Sequence, residues 1–168
     1  MYLAHPKTKL KKLVGSKGFI EHWNYKSEDL DVERVTNVGG KDTLAATRFD
    51  RHIYVLKGIG NVETNESHLL AEGDLVKIPK SKMATIADSQ LQYLVIKGQV
   101  QSPQKYGKGT KFNESPYKRF VYILDGFGRL NHNSKMFNIN PGAAILLDPN
   151  ETLEIFSGEA EVLIVESV

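Results

Sequence analysis

One stretch of this chain occurs twice, and it limits the folds open to the rest. Arg51-His-Ile-Tyr-Val-Leu-Lys-Gly-Ile-Gly60 returns 68 residues later as Arg119-Phe-Val-Tyr-Ile-Leu-Asp-Gly-Phe-Gly128. Each copy opens on an arginine, alternates apolar residues, keeps a tyrosine at the same place and closes on a Gly-x-Gly that is expected to turn the chain. At that constant offset Gly39, Arg51, Tyr54, Leu56, Gly58 and Gly60 fall on Gly107, Arg119, Tyr122, Leu124, Gly126 and Gly128. After one inserted residue Gly73 falls on Gly142, and Leu94-Val-Ile on Leu163-Ile-Val. Two copies suit a pair of small barrels better than a solenoid, which needs more repeats to bury its faces.

The remaining sequence has the same grammar. Period-two stretches at Phe19 to Tyr25, Val32 to Val35, Leu44 to Phe49, His52 to Leu56, Leu75 to Ile78, Met83 to Ile86 and Leu91 to Ile96 are bounded by Gly, Asn, Asp or Ser. No amphipathic helix of three turns interrupts them, so the fold class is all-β, a sandwich or barrel. Residues 1–18 lack a period and are expected to form an N-terminal arm with a short helical turn at Lys9 to Leu13. Residues 99–111, polar and carrying Pro103, Gly107 and Gly109, are expected to be a linker between units at 19–98 and 112–168.

Composition removes several function classes. A net charge of +2 gives no general attraction to nucleic acid, and the basic residues Lys7, Lys9, Lys11, Lys12 and Lys17 are expected on a solvated arm. The absence of cysteine excludes disulfides, thiolate metal sites and cysteine nucleophiles. The N-terminal residues have no apolar signal region and no run is long enough to span a membrane, so a cytoplasmic protein with no membrane partner is expected.

The glycine frame resembles the cupin superfamily, whose double-stranded β-helix barrel carries the motifs G-x5-H-x-H-x3-E-x6-G and G-x5-P-x-G-x2-H-x3-N. Gly39, Ala45, Thr47, Arg51 and Gly58 occupy the first frame, and Gly73, Pro79, Ser81, Ala84 and Asp88 the second. In the second copy Gly107, Asn113, Ser115, Arg119 and Gly126 hold the first frame, while Gly142, Asp148 and Leu153 fall on the second. The resemblance implies a compact bicupin, two small barrels packed together, over about residues 37–168. It also implies that every metal ligand of the family is replaced, so no metal and no cofactor are expected, since Ala, Thr and Leu offer a metal ion nothing useful.

At the position of the family's inward glutamate both copies carry arginine. A guanidinium cannot shed its charge, so inside a barrel it needs an acid, an anionic ligand or a path to water. Arg51 and Arg119 are therefore the candidate anion-binding residues, with an internal salt bridge to Asp50, Asp88, Glu114 or Asp148 as the alternative. Strand alternation sends Ile53, Val55, Val121 and Ile123 inward with them. It leaves Tyr54, Leu56, Phe120, Tyr122 and Leu124 on an outer face too apolar for water, to be covered by the other unit or a second chain, so a homo-oligomer is expected. His5, His22, His52, His68 and His132 each stand alone, where a satisfied core or surface histidine is the commoner case. Phosphate-binding loops, nucleophile elbows and dinucleotide fingerprints are absent.

The expectation is thus a metal-free cupin-type binding protein for a small anionic or sugar-like ligand or a partner protein. Enzymatic activity is left open. The first alternative is a metal-independent sugar epimerase or isomerase using His68, near Glu66, or His132, near Glu114, with a tyrosine. The second is a structural or assembly protein.

Overall fold

The computed structural model describes residues 2–4, 7–14, 18–25 and 30–167. Among these the chain is strand and loop throughout. The strands are β1 (Tyr2–Ala4), β2 (Lys7–Val14), β3 (Gly18–Asn24), β4 (Asp31–Val38), β5 (Asp42–Leu44), β6 (Arg51–Glu63), β7 (Ser67–Ala71) and β8 (Leu75–Ile78). They continue as β9 (Ala84–Lys97), β10 (Gln99–Gly107), β11 (Lys111–Phe112), β12 (Arg119–His132), β13 (Lys135–Asn138), β14 (Ala144–Leu147) and β15 (Leu153–Glu166). No helix among them is long and apolar enough to cross a membrane.

Two compact units divide the chain, the first comprising Pro6–Lys97 and the second Met1–His5 with Gly98–Val168. In the first the strand order is β2-β3-β4-β9-β6-β7, with β5 on β9 and β8 on β6. In the second it is β1-β14-β12-β15-β10, with β11 on β15 and β13 on β12. The duplicated sequence thus folds to one pairing plan: β12 pairs with β13, β14 and β15 as β6 pairs with β7, β8 and β9. The register is shared too, since Val55 opposes Tyr93 where Ile123 opposes Val162, and Leu44 opposes Ala84 where Phe112 opposes Leu153.

Alternation along these strands builds each core. Ile53 and Val55 enter the apolar cluster of the first unit with Ile20, Val35, Ile78, Ile86 and Leu91. Val121 and Ile123 enter that of the second with Leu130, Ile145, Leu147, Ile155 and Val162. Fully burying each such side chain is worth about 1.5–3 kcal/mol, so these clusters are the main source of stability. Of the residues assigned to the opposite face, Tyr54, Phe120 and Tyr122 are also buried, and Leu56 and Leu124 half-buried.

Four expectations are corrected. The Gly-x-Gly pairs do not end their strands: Gly58 and Gly60 lie inside β6, and Gly126 and Gly128 inside β12. There the long strand changes neighbour, from β8 to β7 and from β14 to β13, with register shifts between Val55 and Lys57 and between Ile123 and Asp125. Gly58 (φ 92°) and Gly126 (φ 134°) are required because a Cβ would run into the carbonyls of Gln90 and Glu159. The Lys9 to Leu13 stretch is not a helical turn but part of β2, where pairing with β3 satisfies a sheet edge and overrides local preference. The 99–111 stretch is not a linker but holds β10 and β11. It is polar because β10, an edge strand, is mostly exposed, and Pro103 falls at the register shift between Gln101 and Gln104, where a missing N–H does no harm. Finally, the strand expected from Leu44 to Phe49 ends at Leu44, and residues 45–50 form a loop at the barrel mouth.

Candidate functional site

The loops at the mouth are fastened in the same way in both units. Arg51 Nη2 donates to the Ala45 carbonyl at 2.7 Å and to that of Lys82 at 3.4 Å. Arg119 donates from Nη1 to Asn113 O at 2.8 Å and from Nη2 to Glu151 O at 2.7 Å, and these acceptors are the repeat counterparts of Ala45 and Lys82. The Ser81 amide donates to Thr47 O at 2.7 Å as the Asn150 amide does to Ser115 O at 2.8 Å, with Ser81 (φ 63°) and Asn150 (φ 66°) both left-handed. The duplicated arginine therefore clamps two loops through backbone carbonyls, and none of the described acids takes its fork. Asp50 instead accepts from the Lys80 amide and pairs with Lys77, Asp148 lies 3.8 Å from Lys118, Glu114 is exposed, and the Asp88 side chain lies outside the described residues. Burial lowers the pKa of both arginines, against the charge of Glu33 for Arg51 and of Glu166 and Glu151 for Arg119. Each Nε is buried without a partner.

The surroundings of the two arginines differ. Arg119 is only 5% exposed and sits beside the packed core of its unit. Arg51 lines a cavity of about 860 Å³, within the range of small-molecule sites. Its lining includes the exposed or half-buried Asp31, Ala45, Thr47, Arg48, Phe49, Arg51 and Lys97 and the buried Leu44 and Val95. Lys97 Nζ lies 3.8 Å from the centroid of the Phe49 ring, a cation–π contact at the mouth.

Deeper in the first unit lies a chain of buried polar groups. On β3 the inward series Ile20, His22 puts an imidazole beside Glu33 of β4 and Asp42 of β5. His22 Nδ1 donates to Glu33 Oε1 at 2.8 Å, and Nε2 to Asp42 Oδ1 at 3.2 Å. Tyr93 of β9 donates its hydroxyl to Asp42 Oδ2 at 2.7 Å. With a carboxylate acceptor on each ring nitrogen, His22 is an imidazolium. Burial opposes that charge, but the hydrogen bonds and negative charge of Asp42 and Glu33 outweigh it and raise the pKa to about 9. Tyr93 is pushed up, first by burial and then by the Asp42 charge, so it stays a neutral donor.

A metal of the kind the cupin motif implies does not fit. Ala45, Thr47 and Arg51 hold three ligand positions of the first frame, Ala84 lies in the core, and in the second unit Leu153 does the same. Both nitrogens of His22 already donate to carboxylates, and among the described residues no three His, Asp or Glu side chains stand so as to hold a metal ion.

The other histidines do not assemble a site. His68 is exposed, 3.8 Å from Glu66, and His132 bonds Thr152 O and lies 3.4 Å from Glu151, not beside the expected Glu114. His52 is half-buried, with its pKa lowered by burial and by Lys77. His5 lies outside the described residues. The sequence reading missed Glu33, Asp42 and Tyr93 and took His22 as isolated. Both Val32 and Val35 are fully buried, so alternation along β4 gave no sign that Glu33 faces inward.

No protein-family model matches the sequence, and no curated protein matches it. Solved structures do match. A cupin 2 conserved barrel domain protein from Leptotrichia buccalis superposes with a TM-score of 0.70 at 15% identity, covering 100% of this chain and 98% of its own. The Ylba protein from E. coli gives 0.72 at 11% identity over 95% of this chain and 87% of its own. AerE from Microcystis aeruginosa gives 0.70 at 9% identity over 99% of each. At such identities the likeness concerns the backbone alone, and with the pairing plan above it establishes that this chain has the cupin fold.

Proposed function

We propose that the chain is a bicupin that binds rather than catalyses, holding a small anionic or sugar-like molecule in the first-unit cavity without a metal. The observation that carries this reading is the cavity itself, with Arg48, Arg51 and Lys97 on its rim and a hydrogen-bonding floor of Glu33, Asp42 and His22. On the lining Arg48, Arg51, Lys97 and the His22 imidazolium stand against Asp31, Glu33 and Asp42, a balance of one positive charge that favours an anion beside Arg48 and Lys97, where the Arg51 clamp holds the loop in place before any ligand arrives. Of the two candidate arginines, Arg51 has this space beside it, whereas Arg119 is buried. Calorimetric titration with carboxylates, inorganic phosphate and neutral sugars tests the proposal. At least one anion or sugar is expected to bind, and Arg48→Gln with Lys97→Gln is expected to weaken the anions. Absence of binding by every member at millimolar concentration would refute it.

A second reading, a metal-independent epimerase or isomerase, draws on His22 and Asp42, titratable groups on the cavity lining, with the buried Tyr93 bonded to Asp42 behind them. It requires incorporation of solvent deuterium into a sugar substrate, lost in Asp42→Asn. Binding without exchange would leave the first reading alone.

A further inference from the structure

Two cations on the cavity lining have no acid to neutralise them. Among the described residues neither Arg48 nor Lys97 forms a salt bridge. What they share is the Phe49 ring, with Lys97 Nζ 3.8 Å and Arg48 Cζ 5.7 Å from its centroid. A ring face attracts a cation without cancelling its charge, so both are positioned and both keep that charge for an anion. Asp31, opposite Lys97 in the register of β4 and β9, accepts instead from Asn24 Nδ2 at 3.2 Å.

The same ring is 44% exposed and continues into other apolar surface. Leu44, Ala45 and Ala46 precede it on the loop and line the cavity with it, as does Val95, two residues before Lys97 and so on the same face of β9. The loop is fixed without a ligand, since the Thr47 hydroxyl donates to Phe49 O at 2.9 Å and Arg51 to Ala45 O at 2.7 Å. Glu33 and Asp42 are already engaged with His22, and Asp42 with Tyr93 as well. A polyhydroxy acid would set hydroxyls against the apolar residues and recover few of the bonds it gave up to water. An acid with a hydrocarbon body would cover them instead.

We infer that the first-unit cavity takes an organic acid with an apolar body, its carboxylate on Arg48 and Lys97 and its hydrocarbon on Phe49 and the apolar residues of the same lining. This rests on the ligand-binding reading above and narrows it to one class of molecule. Phe49 then has two roles, contact for the hydrocarbon and positioning of both cations. Each methylene that the lining covers corresponds to about fourfold in affinity.

The test is calorimetry on the full chain with acetate, butanoate, hexanoate, gluconate and the neutral hexanamide. Affinity is expected to rise by about threefold to fourfold per methylene from acetate to hexanoate. Hexanoate is expected to exceed gluconate and hexanamide by about tenfold or more. Phe49→Ser, with folding checked by circular dichroism, is expected to weaken hexanoate more than acetate. If acetate or gluconate binds as well as hexanoate, or only phosphate or a neutral sugar binds, the inference fails and the ligand-binding proposal survives. Hexanamide binding as tightly as hexanoate would overturn the part given to the cations, and with it the inference. Unchanged hexanoate affinity in a folded Phe49→Ser also overturns it. Should that variant fail to fold, the wild-type ranking decides. If none of these probes, phosphate or neutral sugars binds, both readings fall.

Discussion

Where the first unit places Tyr93, bonded to Asp42 above a chain of His22 and Glu33, the second places Val162 in an apolar cluster. The counterpart of Asp42 is Thr110, and that of Leu44 is the larger Phe112. Strand plan, glycine corners and arginine clamps are common to both, yet the first unit has a cavity with polar lining beside its clamp and the second a buried clamp with an apolar core cluster. Part of the reason is an extra strand: β3, which carries His22, pairs with β4, whereas β10, the counterpart of β4, ends its sheet. One strand plan thus encloses an apolar cluster beside a buried clamp in one unit and borders a cavity with polar lining in the other. The duplicated arginine belongs to the shared frame, and the residues that make the first unit different come from strands outside the repeated stretch.

The shared part of this comparison can be broken first. Gly58→Ala and Gly126→Ala should each cost about 3 kcal/mol or more, because the added Cβ meets a neighbouring strand's carbonyl and the positive φ is strained, and chemical denaturation would measure it. If only one is damaging, the two corners are not equivalent. Arg119→Ala should come next, at about 2–3 kcal/mol, since it strips two loop carbonyls of donors at a buried place. Arg51→Ala should cost less, about 1 kcal/mol, as water reaches its half-buried site, but it should abolish anion binding. Equal costs would mean that the cavity makes no difference to the clamp.

The polar floor gives a pH-dependent signature. His22 binds its proton more tightly folded than unfolded, about 9 against 6.5, so its contribution to stability is full below about pH 6.5 and disappears as pH rises through about 9. Thermal melts should show wild type losing stability across that window with a slope of up to about 1.4 kcal/mol per pH unit, and His22→Gln losing none of it there. A parallel decline in both would remove the imidazolium from the account. Tyr93→Phe, which removes one donor from Asp42, should cost about 1 kcal/mol at pH 7.

Much of the architecture was legible in the order of residues. The alternation around Arg51 and Arg119 placed Ile53, Val55, Val121 and Ile123 in the cores, and the matching glycines implied a duplicated frame. Beta strands are readable in this way because a period of two follows from backbone geometry alone. The Gly-x-Gly corners were misread, because a bulge inside a strand and a hairpin turn call for the same residue. The segments at 7–14 and 99–111 were misread as arm and linker, because edge strands need few apolar side chains and their pairing partners are far away in sequence.

The candidate site was less legible. Each arginine was found, but its acceptors are backbone carbonyls, which no side-chain pattern encodes. His22, Glu33, Asp42 and Tyr93 come from four strands, and cross-strand register alone brings them together. By itself, the sequence determined the all-β class and the repeated stretches that open on Arg51 and Arg119, since these depend on local period and residue chemistry. Tertiary structure alone decided that the clamp of the first unit borders a cavity with polar lining, because that depends on which distant side chains share an interior.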